Sequence, residues 1–82
     1  RRLERPVRER LAALEARIAD VERQEREATA ALADSATYED FARARPHVEA
    51  RQRAQDELRR LYAEWEAVSL ELERIGAAPR GP

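Results

Sequence analysis

Six arginines crowd one part of this 82-residue chain: Arg43, Arg45, Arg51, Arg53, Arg59 and Arg60. A guanidinium is planar, permanently charged and carries its N–H donors in a fork that fits phosphate oxygens. The first four fall within "RARPHVEARQR", where Glu49 is the only acid, and the last two follow one or two helical turns on. The chemistry they suit is phosphate contact, which positions a nucleic acid without reading its bases. No donor–acceptor set fitted to a groove accompanies them. The plainer alternative is a solvated helix face, and composition alone leaves both readings open. Every basic residue is Arg and none is Lys. A GC-rich coding bias is the favoured explanation, and the functional alternative is that Arg suits phosphate forks.

The remaining side chains offer little else. There is no phosphate loop and no dinucleotide-binding glycine pattern, and the glycines are Gly76 and Gly81 alone. His47 has no second His and no matching carboxylates, so a metal site is not expected. Ser35, Thr37 and Ser69 have no His base at helical spacing. Glu71 and Glu73 read as a solvated face rather than an acid–base pair. The absence of Cys excludes disulfides, thiolate metal sites and cysteine catalysis. No catalytic residue is assigned, and no cofactor of this segment itself.

The elements that must carry the arginines are legible from spacing. Val7, Leu11, Leu14, Ile18, Val21, Ala28 and Leu32 recur in alternating steps of four and three, with Glu25 in the one missing place. That is a heptad seam. A second seam runs through Ala54, Leu58, Leu61, Trp65, Val68, Leu72 and Ile75. The two are out of phase: Leu32 to Leu58 is three heptads plus five, which neither a stutter of four nor a stammer of three repairs. A single rod would lose its stripe there. "LADSATYEDF" lies at the break, with Asp34, Ser35 and Thr37, all turn and cap formers, and Thr37 with Asp40 loosely resembling a capping box.

The expected fold is all-α, an antiparallel two-helix coiled-coil hairpin over residues 1–75. Helix 1 spans about 6–33. The corner, 34–45, contains a short helical turn over Tyr38 to Ala44. Helix 2 spans about 46–75, starting at Pro46, which lacks an N–H and restricts Arg45 before it. Residues 76–82 read as a disordered tail. Folding back pairs Leu11 with Val68, Leu14 with Trp65, Ile18 with Leu61 and Val21 with Leu58. On the rim the same register matches Arg10 with Glu71 and Arg17 with Glu64. Trp65 is expected in the core, with Tyr38 and Phe41 capping the open end and Glu25 reaching Arg51 across a thin layer. Tyr62 and Leu70 lie off the seam and are candidates for exposed contact. A parallel dimer of helix 1 would match Arg10 with Glu15 and Arg17 with Glu22, so charge alone leaves it open; the phase break and matched layers favour a monomeric hairpin.

These residues carry a family resemblance. "RRLERPVRERLAALEARIADVE", "LADSATYEDF" and "ELRRLYAEWEAV" resemble the C-terminal domain of ABC-F ATPases of the Uup type. The matching positions are Leu3, Glu4 and Pro6; Leu14, Glu15 and Ile18; Leu32, Ala33, Asp34 and Tyr38; and Glu57, Leu58, Leu61, Tyr62, Trp65 and Glu66. The chain departs from the pattern at Ser35, where a Pro is usual, and in lacking Lys. The resemblance implies a cytoplasmic ATPase without membrane spans, using ATP and Mg in cassettes that lie outside this segment. It implies a hairpin that binds nucleic acid, DNA or ribosomal RNA, with the ribosome and the parent's cassettes as further partners. A start on Arg1 rather than Met reads as an excised domain. The alternatives to nucleic-acid binding are a structural coiled coil that docks on and regulates the cassettes, or a homodimerisation module.

Overall fold

The computed structural model describes residues 4–76; residues 77–82 of the expected tail and the family position Leu3 lie outside the described residues, whereas Gly76, expected to open the tail, is the buried last residue of the second long helix. Three helices follow one another: α1 over Glu4–Ala33, the single turn α2 over Ser35–Tyr38, and α3 over Phe41–Gly76. α1 and α3 pack antiparallel along their length and form a rod about 60 Å long and 17 Å wide. The all-α hairpin is the fold.

α1 is built from Ala, Leu, Arg and Glu, all strong helix formers. Pro6 sits in its first turn, where a missing N–H leaves no hydrogen bond unmade. Ion pairs one turn apart line its surface, Arg8 with Glu4 (2.8 Å) and Arg23 with Glu27 (2.9 Å). At Asp34 the backbone turns extended (φ −73°, ψ 124°), and the side chain accepts a hydrogen bond from the Ala36 N–H at 2.9 Å. Asp34 therefore ends α1 and caps α2. Six residues on, Asp40 does the same for α3, accepting from the Ala42 N–H (3.0 Å) and more weakly from that of Arg43 (3.4 Å). The capping box expected from Thr37 is not the device used. Two Asp caps turn the corner, because a short carboxylate reaches the orphan N–H two residues ahead.

The caps also move the helix boundary. α3 begins at Phe41, five residues before the expected start, and Pro46 lies inside it. The short turn sits at Ser35–Tyr38 rather than Tyr38 to Ala44. Proline removes one backbone hydrogen bond, that to the Ala42 carbonyl, and a well-capped start tolerates the loss so near the helix end.

The core lies on the two heptad seams. Val7, Ile18, Val21 and Ala28 of α1 are buried against Ala54, Leu58 and Val68 of α3. Ile18, Val21, Ala54 and Leu58 form one cluster, with Leu61 packed on it, which agrees with the pairing of Ile18 with Leu61 and Val21 with Leu58. On the rim, Arg10 meets Glu71 at 3.6 Å. Arg17 does not take Glu64. It makes a two-pronged bond to Glu57, Nε to Oε2 at 2.7 Å and Nη2 to Oε1 at 2.9 Å. Asp20, one turn toward the corner on α1, holds Nη1 at 3.2 Å and draws the guanidinium that way.

Three aromatic expectations fail together. Trp65 is not core: it is 36% exposed, because an indole is too broad for a seam between only two helices and its N–H needs a polar partner. Tyr38 (71%) and Phe41 (79%) do not cap the seam but stand open at the corner, since the Asp caps start α3 before the chain can fold their rings inward. Glu25 and Arg51 are each half-buried in the thin layers near the corner, and no ion pair joins them.

Candidate nucleic-acid interface

All six candidate arginines lie on α3, from its corner end to just past its midpoint. From Arg43 to Arg60 they span about 25 Å of helix. They do not form one patch. At about 100° per residue, Arg45 and Arg59 share the outer face, Arg53 and Arg60 one flank, and Arg43 and Arg51 lie closer to the seam. The run that looks dense in sequence is wound around the rod, because the steps of two and six between 43, 45, 51 and 53 do not repeat with the helical period.

Their chemistry divides them further. Arg45 donates to Glu49 at 3.1 Å, and Arg59 is held by Asp56 one turn back. Each of these charges is already neutralised within the helix. Among the described residues, the side chains of Arg43, Arg51, Arg53 and Arg60 form no ion pair or hydrogen bond. Arg43, Arg53 and Arg60 are exposed, and Arg51 is half-buried. Arg60 still exerts an attraction on the Glu57 carboxylate, one turn away. Arg26, on α1, joins the unpaired set: it is exposed and lies level with Arg53 across the hairpin. Its place in α1, outside the Arg run, hid it from the sequence reading, although the fold-back register puts it there.

The rim that carries Arg10 and Arg17 is saturated by contrast. The Glu57 carboxyl is held below its ordinary value of 4.5, chiefly by the hydrogen bond from Arg17 and, against desolvation, by that charge. The Arg17 guanidinium is raised in turn. The Asp20 carboxyl is lowered by its bond from Arg23. These groups are committed to one another and offer no free cation to a phosphate.

The opposite rim is different again. Trp65 donates its indole N–H to Glu15 at 3.1 Å, and the Tyr62 hydroxyl donates to Glu22. That bond to a carboxylate favours the neutral phenol and raises Tyr62 above its ordinary value of 10.0, with desolvation adding to the effect. Tyr62 is 46% exposed, as an off-seam position should be.

No group of His, Asp and Glu among the described residues is placed to hold a metal ion, and no described helix is long and apolar enough to cross a membrane. No curated protein and no solved structure matches the chain. Residues 2–70, which hold both heptad helices and the capped corner, match the ABC transporter C-terminal domain family, and a match over that much of the sequence shows that the chain belongs to it.

Proposed function

We propose that this chain is the auxiliary nucleic-acid-binding domain of a cytoplasmic ABC-F ATPase, and that it holds DNA or ribosomal RNA by phosphate contacts. One observation supports this above the rest. The guanidinium groups left without a carboxylate from the corner to just past the middle of the rod, Arg26, Arg43, Arg51, Arg53 and Arg60, include four of the six residues selected from sequence. A free exposed guanidinium can release counterions from a phosphate backbone; one already bonded to Glu49 or Asp56 has less to gain. Contacts wound around a rod suit a curved or structured polymer better than a flat groove. The parent's ATP and Mg would be bound by cassettes outside this segment, and this segment supplies grip rather than catalysis.

The test is fluorescence anisotropy of labelled duplex DNA and of a structured RNA hairpin titrated with the 82-residue chain across a salt series. The expected result is saturable binding whose log affinity falls linearly with log salt. The better ligand assigns the polymer. No binding at low salt overturns the reading. It would leave a second one, docking of the corner on a protein such as the parent's cassettes, which the open rings of Tyr38 and Phe41 favour. In that case deleting the domain changes the parent's ATPase rate without changing its nucleic-acid affinity.

A further inference from the structure

Between α1 and α3, on the rim away from Arg17, lies a groove of about 240 Å³ lined by Glu15, Ile18, Ala19, Glu22, Tyr62 and Trp65. Of the residues α1 gives it, Ile18 is buried and Ala19 adds only a methyl. Its walls are an indole and a phenol, both more than a third open to solvent. Its polar groups are two carboxylates, each fixed by one hydrogen bond from an aromatic partner. Neither carboxylate has an arginine partner among the described residues, although Glu4, Glu9, Glu27, Glu49, Glu57 and Glu71 all do. A carboxylate has room for about four acceptor contacts, so a single bond leaves both able to take more.

We propose that this groove receives arginine side chains from a basic segment of a partner protein. A flat cation suits an aromatic lining: guanidinium stacks on an indole or phenol face, and such contacts strengthen when partly desolvated, as in a groove. The same cation donates in a fork to a carboxylate at the rim. Glu15 and Glu22 stand two turns apart, about 10 Å, which a polyproline II segment, with about three residues per turn and a rise of about 3.1 Å, spans in one turn with both side chains on the same face. The segment that fits both therefore carries Arg at two positions three apart. Phosphate is the wrong ligand here, because two unneutralised carboxylates repel it. The groove and the Arg-bearing faces thus take partners of opposite charge, and the groove does not depend on the nucleic-acid reading.

Trp65 is the only tryptophan, so its fluorescence reports on the groove alone. The probe is a peptide repeating Arg-Gly-Gly-Arg, with a Lys-Gly-Gly-Lys peptide as comparison, titrated at low salt. The expected result is a saturable change in Trp65 emission with the Arg peptide and an affinity several-fold lower for the Lys peptide. Glu15→Gln with Glu22→Gln keeps an oxygen to accept from Trp65 and Tyr62 but removes both charges; it weakens binding about tenfold or more. Glu39→Gln with Glu64→Gln removes the same charge elsewhere and leaves binding unchanged. No Trp65 response, equal binding of the two peptides, or equal weakening by the two double variants overturns the proposal. Self-association without peptide that Glu15→Gln with Glu22→Gln abolishes also overturns it, because the groove then belongs to a second copy of the chain.

Discussion

The two long rims of the hairpin close the same seam with opposite chemistry. One is stitched by ions, Arg10 to Glu71 and Arg17 to Glu57. The other is stitched by neutral donors on carboxylates, Trp65 to Glu15 and Tyr62 to Glu22. The ionic rim neutralises its charges within the molecule; the aromatic rim leaves two carboxylates with unused capacity and a groove between the rings. Both rest on one apolar floor, so stability comes from the floor and the rims differ mainly in what they offer to partners. They should also fail at opposite ends of the pH scale. The folded state lowers the Glu57 carboxyl below 4.5, so its contribution is present above that value and is lost as pH falls through the lowered one. The folded state raises the Tyr62 phenol above 10.0, so its contribution is present below that value and is lost as pH rises through the raised one.

Removing the shared floor has the largest effect. Leu58→Ala opens the centre of the cluster formed with Ile18, Val21 and Ala54 and should cost about 2 kcal/mol or more, read as a large fall in the thermal midpoint by far-UV circular dichroism. Both rims are lost together. A midpoint unchanged by Leu58→Ala would mean that the rims, not the seam, hold the rod. Glu57→Gln comes next: it removes the carboxylate charge and one of the two acceptor oxygens from Arg17, lowers the midpoint modestly at neutral pH and blunts the loss of stability below pH 4.5. An acid limb as steep as in the parent chain would show that Glu57 is not its source. Tyr62→Phe acts at the other end. It should flatten the alkaline limb above pH 10.0 and leave the acid limb alone, as a pH series of midpoints would show. The smallest effect is expected from Glu64→Gln, the partner that Arg17 does not use; a midpoint shift as large as that of Glu57→Gln would restore the simpler register.

The contrast between rims also shows what a heptad pattern can and cannot reveal. The fold was readable because burial follows the 3.5 repeat, and every buried hydrophobic residue among the described ones lies on one of the two seams found from spacing alone. The out-of-phase break at Leu32 to Leu58 located the corner. The corner's details were not readable, because Asp34, Thr37 and Asp40 are all good cap residues and only the path of the backbone decides which carboxylate meets an orphan N–H. Trp65 was misplaced for a related reason: its position is a seam position, but periodicity carries no information on width, and two helices cannot enclose an indole. Arg17 chose Glu57 because Asp20 pulls it toward the corner, a choice between two acids one heptad apart that the period cannot make. The candidate arginines were legible as a group. Their division into paired and free was not, since it depends on whether Glu49 and Asp56 reach Arg45 and Arg59.

That division is the central claim. It is tested by comparing two variants of the 82-residue chain against the same nucleic acid: Arg43→Ala with Arg53→Ala and Arg60→Ala, which removes free guanidinium groups, and Arg45→Ala with Arg59→Ala, which removes bonded ones. The first should weaken binding and lower the slope of log affinity against log salt by about one for each arginine lost, while the second leaves the slope near that of the parent chain. Equal losses from both variants, or a larger loss from the second, would contradict the account.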